Sequence, residues 1–378
     1  MTYCVNIDWL AIFCLYDSRQ SPDGDPVPRE WTPATRTGDE LGCVYDWRYT
    51  DEAYGTRQFS RLTKVTIPNE EGGRDDFAEV QSRPYAKIIH KDAVIVRFVN
   101  RALYMPDFWD MCDLFLQQNR LQFKSISRVD ICADFNQFAT YDPRRLIEAF
   151  AAKRLRHIGR GVGALYFDHG VMEDKQTRVR DYGVKFNGLS FGTHSSDQRV
   201  YLYNKSFELL TQGDKPWIRD IWARYGLNQE QVWRLEVSTK AKGCKFKCKQ
   251  SGKVVTIDRE SAGNTDELTK IYLSFVAKLF SFVKNRRHIT NISREPRVQL
   301  FDSTFRYIRG VIRNKTGASR TEKMLIKALY QLGDKYRGLE PWEHAEEAQN
   351  FAYMLAGSCD LGAWMANKME EWEKPNHK

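Results

Sequence analysis

Residues 127–135, SRVDICADF, alternate with period two: Val129, Ile131, Ala133 and Phe135 fall on one face, and Arg128, Asp130, Cys132 and Asp134 on the other. Two later runs repeat the pattern. Residues 199–205, RVYLYNK, send Val200 and Leu202 one way and Arg199, Tyr201, Tyr203 and Lys205 the other. Residues 232–240, VWRLEVSTK, set Trp233, Leu235 and Val237 against Arg234, Glu236 and Ser238. Strands that bury one face and leave the other polar are those of an antiparallel sheet. Side by side, these three would collect three carboxylates, two tyrosines, three arginines and a lysine opposite the core.

Outward from these runs, residues 1–16 read as a first strand, 62–67 and 93–99 as further strands, and the polar stretch 68–76 as a hairpin turn. Residues 20–42, dense in Pro, Asp and Gly, read as a long loop. Helical spacing occurs at 114–121, at 143–155 behind the cap-like Asp142-Pro143, at 268–284, at 319–332 behind the capping-box pair Ser319 and Glu322, and at 343–356. The expected fold class is α+β: a mainly antiparallel β-sheet catalytic core with flanking helices and a helical C-terminal part. The expected division is an acidic N-terminal β-rich segment (1–80), a core (81–253) and a helical C-terminal region (254–378).

The chemistry of the polar face reads in two ways. Carboxylate oxygens suit a hard ion such as Mg²⁺ or Mn²⁺, a tyrosine hydroxyl is a nucleophile, and neighbouring Lys and Arg would favour its phenolate and neutralise charge growing on a phosphoryl group. Cross-strand Arg–Asp and Arg–Glu pairs are also an ordinary way to make a sheet face soluble. Asp130 and Asp134 lie about 13 Å apart on an extended strand, at about 3.3 Å per residue. One ion cannot take both without a bulge, so Asp130 with Glu236 ranks ahead of Asp134.

At these residues the chain resembles the Rep-trans group of plasmid and phage rolling-circle replication initiators. The resemblance rests on Arg128-Val-Asp130-Ile-Cys-Ala-Asp134, on Gly192-Thr-His-Ser-Ser-Asp197 leading into Arg199-Val-Tyr-Leu-Tyr203-Asn-Lys205-Ser-Phe-Glu208, and on Arg234-Leu-Glu236, in the family's order and spacing. It covers residues 85–240, including Asn100 to Tyr104. It implies a metal-dependent DNA nicking and joining enzyme in which Tyr203 attacks one strand of origin DNA and stays joined to the 5′-phosphate. Asp130 and Glu236 would hold Mg²⁺ or Mn²⁺, with Asp134 behind them, and Arg199 and Lys205 would support the tyrosine. Tyr201 is a second tyrosine on the same face and a competing nucleophile. The implied partners are the single-stranded or cruciform nick site with adjacent duplex, a host helicase and polymerase, and a second copy in a homodimer. The implied setting is the bacterial cytoplasm. The alternative is a DNA-binding regulator that keeps the fold and no longer cuts.

Charge agrees with a polyanionic partner. Lys and Arg exceed Asp and Glu by 58 to 49. Residues 1–80 carry 15 acids and 8 bases, whereas residues 240–315 carry 18 bases and 6 acids. Within the basic part, KAKGCKFKCKQSGK (240–253) suggests a two-stranded ribbon whose Lys240, Lys242, Lys245, Lys247, Lys249 and Lys253 would lie along phosphates. A solvated, lysine-guarded hairpin is the plain alternative. Arg128, Arg234, Arg286 and Arg287 complete the candidate DNA contacts. The glycine run 159–163 reads as a flexible loop or a weak phosphate cradle, and Trp217, Trp222 and Tyr225 as core or as base-stacking groups. The first 16 residues lack a basic leader and contain Asp8, which argues against a signal peptide. The most apolar internal run, 271–283, is 13 residues long and contains Lys278, too short to span a bilayer. Eight scattered cysteines read as reduced thiols.

Overall fold

The computed structural model describes residues 1–17, 46–85, 89–159, 163–167, 170–173, 186–193, 195–247, 254–285, 295–302 and 312–313. The expected loop at 20–42, the helices at 319–332 and 343–356, and Lys249, Lys253, Arg286 and Arg287 lie outside them.

Alternating side chains build one large sheet. Its strands are β1 (Tyr3–Tyr16), β2 (Arg48–Asp51), β3 (Phe59–Pro68), β4 (Arg74–Pro84), β5 (Ala93–Phe98), β6 (Leu121–Phe135), β8 (Gly163–Phe167), β9 (Gly170–Glu173), β10 (Phe186–Phe191), β11 (Gln198–Asn204) and β12 (Trp233–Lys240). Among the described residues these 11 strands run in the order β2-β3-β4-β5-β1-β6-β12-β11-β10-β8-β9, and the pairings are antiparallel. The short β7 (Leu155–His157) pairs with β15 (Phe282–Lys284), and β13 (Lys245–Lys247) lies between β14 (Val254–Thr256) and β16 (Ile312–Arg313).

Seven helices complete the described part: α1 (Asn100–Leu103), α2 (Phe108–Gln118), α3 (Pro143–Ala151), α4 (Lys205–Gln212), α5 (Pro216–Arg224), α6 (Arg259–Gly263) and α7 (Thr265–Leu279). The class is α+β, as expected. The Asp142 side chain caps α3 by accepting from the Arg145 amide at 3.0 Å, and Asn264 caps α7. The boundaries differ from the sequence reading where apolar spacing runs on past a break. Residue 121 already belongs to β6, α3 stops before Lys153 at φ 55°, and α7 stops at Leu279 so that the next apolar residues form β15. The 68–76 turn forms as expected: the Asn69 side chain accepts from the Gly73 amide at 2.7 Å, and Gly72 takes φ 76°.

One face of the sheet carries the main core. Val129, Ile131, Ala133, Val200, Leu202, Leu235 and Val237 are buried there against α3, α7 and the β7–β15 ribbon. Gly163 lies opposite Phe191, where a Cβ would come within 2.8 Å of that ring. This end of the 159–163 glycine run is thus bare because two sheet strands close over an aromatic side chain.

Candidate active site

The registers place the three polar runs on adjacent strands, β6, β12 and β11. Reading across β1, β6, β12, β11 and β10 gives a set of rungs on one face. The first is Cys4, Asp134, Arg234, Tyr203 and Gly188; the second is Asn6, Cys132, Glu236, Tyr201 and Ser190. The third is Trp9, Asp130, Ser238 and Arg199; the fourth is Ala11, Arg128 and Lys240.

The first rung is closed over. Helices α4 and α5 bring Leu209, Ile218 and Trp222 against Cys4 and Val232 to form a second apolar cluster. Arg234 is 0% exposed beneath it. Its Nε donates to Asp134 Oδ1 at 2.6 Å, one terminal nitrogen to Asp134 Oδ2 at 2.7 Å, and the same nitrogen to the Tyr104 hydroxyl at 3.1 Å. Its other terminal nitrogen pairs with Asp8. Trp222 Nε1 donates to Asp134 Oδ2 at 2.7 Å. Asn100 donates to Asp8 and accepts from Trp217 Nε1, both at 3.0 Å. A buried guanidinium so engaged is a structural hub.

Two sequence expectations change here. Arg234 cannot reach DNA phosphates without abandoning two carboxylates, and Asp134 spends both oxygens on Arg234 and Trp222. Trp222 is core, as the apolar reading held, and Trp217 is half-buried at its edge. Tyr225 is 48% exposed.

Sequence reasoning passed over Asp8 as a site residue, because it sits inside an apolar strand. The β1–β6 register slips between Ile7 and Trp9, leaving Asp8 as the extra residue of a bulge that turns its carboxylate toward Arg234. The only signal available was an acid breaking an otherwise apolar run.

The reactive groups bridge the first two rungs, Tyr203 on the first and Glu236 and Tyr201 on the second. The Tyr203 hydroxyl donates to Glu236 Oε2 at 3.4 Å, and Lys205 Nζ donates to that hydroxyl at 3.4 Å. Lys205 belongs to the first turn of α4 and not to the strand, since Asn204 caps that helix by accepting from the Phe207 amide at 2.9 Å. Its ammonium is buried and also donates to both oxygens of Glu208 at 3.0 Å. The Tyr201 and Tyr203 rings stack at 4.6 Å. Gly188 makes this possible: a Cβ there would meet the Tyr201 ring at 2.8 Å.

The remaining rungs are open. Arg128, Thr193, Ser196, Arg199, Tyr201, Glu236, Ser238 and Lys240 line a depression. Arg128 pairs with Asp130 through Nε at 3.0 Å and a terminal nitrogen at 2.5 Å, and Arg199 donates to the Tyr166 hydroxyl at 2.9 Å. The Gly192–Asp197 motif is the β10–β11 turn at the rim, with Gly192 at φ 92° and the Thr193 amide donating to Ser196 Oγ at 3.0 Å. Tyr201, not Tyr203, faces this opening. Lys240 ends β12 and Lys242 is exposed in a 3₁₀ turn (Ala241–Gly243); of the lysines expected in a two-stranded ribbon over 240–253, Lys245 and Lys247 lie in a strand, β13, whose partners β14 and β16 fall outside that range.

Electrostatics here are dominated by burial. Burial, and then the negative charges of Asp8 and Asp130, push Glu236 up to about 8. Burial also raises Asp130 against the pull of Arg128. It holds Tyr203 well above the ordinary phenol range, with Glu236 adding to the effect, and burial followed by Arg234 lowers Lys205. The anticipated phenolate is therefore not favoured by these residues alone. Among the described residues no cluster of three or more His, Cys, Asp or Glu forms a metal cage. Asp130 and Glu236 nevertheless offer hard oxygens on adjacent strands, with a mutual repulsion that a divalent cation would relieve. Two carboxylates, with phosphate and water oxygens completing the shell, match how Mg²⁺ is commonly held.

No family model matches the chain, and no curated protein matches it. Among solved structures it is similar to a rolling circle replication initiator protein from Geobacillus stearothermophilus, at 12% identity and a TM-score of 0.41, over 78% of this chain and 92% of that one. Among the described residues no helix is long and apolar enough to cross a membrane.

Proposed function

We propose that the chain initiates rolling-circle DNA replication by cutting and rejoining one strand of origin DNA through a phosphotyrosine. The observation that carries this reading is the Tyr203 hydroxyl set between the Glu236 carboxylate and the Lys205 ammonium, 3.4 Å from each. Tyr203 Oη attacks the scissile phosphorus and its proton passes to Glu236. The bond from phosphorus to the 3′ oxygen breaks, the 3′ oxygen takes a proton from water, and the 5′-phosphate stays on Tyr203. Asp130 and Glu236 would hold Mg²⁺ or Mn²⁺, which when bound would polarise the phosphate. Arg199 and Lys240 flank the opening where the strand would lie, and Arg128 does so once released from Asp130. The free 3′ hydroxyl would then serve a host polymerase, with a helicase opening the duplex.

The test is a labelled single-stranded origin oligonucleotide mixed with the protein and Mn²⁺. An SDS-resistant adduct should form and be lost in Tyr203→Phe. If the adduct survives in Tyr203→Phe and is lost in Tyr201→Phe, the nucleophile is the tyrosine at the opening. Specific binding with no adduct from the unsubstituted protein would leave the non-cutting regulator.

A further inference from the structure

On the opposite side of the sheet, a second feature has the chemistry of a polyanion site. Helix α3 packs its apolar side on the core through Phe150, whose ring lies 5.4 Å from Phe191 and 5.9 Å from Phe282. Its outer side borders an open groove of about 630 Å³ lined by Tyr141, Arg145, Glu148, Arg154, Lys284 and Asn285. Three cations thus converge on one depression from three elements: α3, the start of the β7 ribbon and the end of β15. All three are exposed, and among the described residues none has an ion-pair partner. One acid, Glu148, stands among them.

The backbone beneath is fixed. The Arg154 amide donates to Ala149 O at 2.8 Å, and the Asn285 amide donates to Arg154 O at 2.8 Å. Asn285 Nδ2 also donates to Lys153 O at 2.7 Å, where Lys153 holds its φ of 55°. Unpaired cations on a rigid concave scaffold keep their mutual repulsion unless an anion relieves it.

We propose that this groove binds the phosphate backbone of duplex DNA, at a surface separate from the tyrosine site. The choice of DNA as the polyanion rests on the replication reading, but not on the tyrosine chemistry. Duplex is favoured over single strand because the lining offers one aromatic ring, whereas single-strand grooves rely on successive stacking platforms. The core face and the tyrosine face are opposite sides of one sheet, so the groove would grip duplex flanking the strand being cut and not the cut strand itself.

The experiment uses the full chain and a fluorescein-labelled duplex, with anisotropy read across a KCl series. Arg154→Gln/Lys284→Gln should weaken binding roughly tenfold at low salt and flatten the log–log salt slope by about 2, at about 0.9 per lost phosphate contact. Glu148→Gln should tighten binding, an effect that damage to the fold would not produce. Unchanged duplex affinity and slope in the double variant overturn the proposal, even where the tyrosine adduct forms normally. Inorganic phosphate competing at micromolar concentration also overturns it, by making the groove a small-anion site. Groove-dependent duplex binding together with an intact adduct on a short single strand supports it. Groove-dependent binding with no adduct supports the groove while removing the nicking reading.

Discussion

Replacing Arg234 by Met separates a structural hub from a DNA contact. The guanidinium is 0% exposed and bridges Asp134, whose side chain is 1% exposed, to Asp8, which is 19% exposed. Met keeps much of the volume but strands two carboxylates, one of them also hydrogen-bonded to Trp222. Removing one member of a buried ion pair costs about 3–5 kcal/mol, because the partner is left charged in a poorly polarisable place. At roughly 2 °C per kcal/mol for a chain of this size, the melting temperature should fall by about 6–10 °C. Arg128→Met is the control. That side chain is 40% exposed, but Asp130 beneath it is only 4% exposed; burial already raises Asp130, which can take up a proton when left alone, so the loss should cost about 1–3 kcal/mol, less than at Arg234. Urea denaturation followed by tryptophan fluorescence measures both. A double-mutant cycle with Asp134→Leu should return a coupling of about 2–3 kcal/mol. If Arg234→Met is no more destabilising than Arg128→Met, the closed first rung is wrong and Arg234 returns to the list of DNA contacts.

Gly188→Ala should push the Tyr201 ring off its place across β10, since the new Cβ would lie 2.8 Å from it. The expected result is a lower adduct yield with duplex binding unchanged, read by gel and by anisotropy. Asp142→Ala removes the cap of α3 and should cost about 1 kcal/mol in the same urea experiment. His157 is stacked on Phe191 at 3.6 Å and hydrogen-bonded to Leu279 O, and burial lowers its pKa. The unfolded chain therefore takes up a proton near pH 6.5 while the folded chain does not, so stability should fall as pH drops below about 6.5. In His157→Gln that part of the pH slope should vanish. Mn²⁺ titration by electron paramagnetic resonance should show weakened binding in Asp130→Asn and in Glu236→Gln; full affinity in both would remove these carboxylates as ligands.

The three alternating runs were legible because period-two patterning reports a buried face directly; their adjacency was a condition of the reading, which the β6–β12–β11 registers supply. What the pattern could not show was depth. Asp130 and Asp134 alternate identically on β6 and both are buried, yet one is covered only by the half-exposed Arg128 beside the depression and the other is sealed beneath Trp222. The difference comes from α4 and α5, which return over one end of the sheet, and nothing within β6 encodes it. Lys205 was assigned to the strand because the alternation runs through it; the competing signal was Asn204, whose side chain caps a helix and ends the strand one residue earlier. Asp8 was missed for a related reason. A bulge shifts one residue against its partner strand, and periodicity arguments assume that no such shift occurs.

The bulge also links the two ends of the site. Asp8 neutralises Arg234 on the closed side, and its negative charge is the strongest electrostatic influence, after burial, raising Glu236 on the reactive side. A straight β1 would remove that carboxylate from Arg234 and would relieve Glu236 at the same time. Asp8→Asn therefore acts in two directions at once. It should destabilise the fold, because Arg234 keeps only one charged partner. It should also lower the pKa of Glu236, so that the carboxylate opposite the Tyr203 hydroxyl stays ionised at neutral pH. In the adduct assay the acid limb of the pH profile, where Glu236 loses its proton and becomes able to act as the base, should move to lower pH in Asp8→Asn, even though the protein melts earlier. A profile that stays in place while the melting temperature falls would mean that Asp8 serves only the hub, and that Glu236 is set by burial and Asp130 alone.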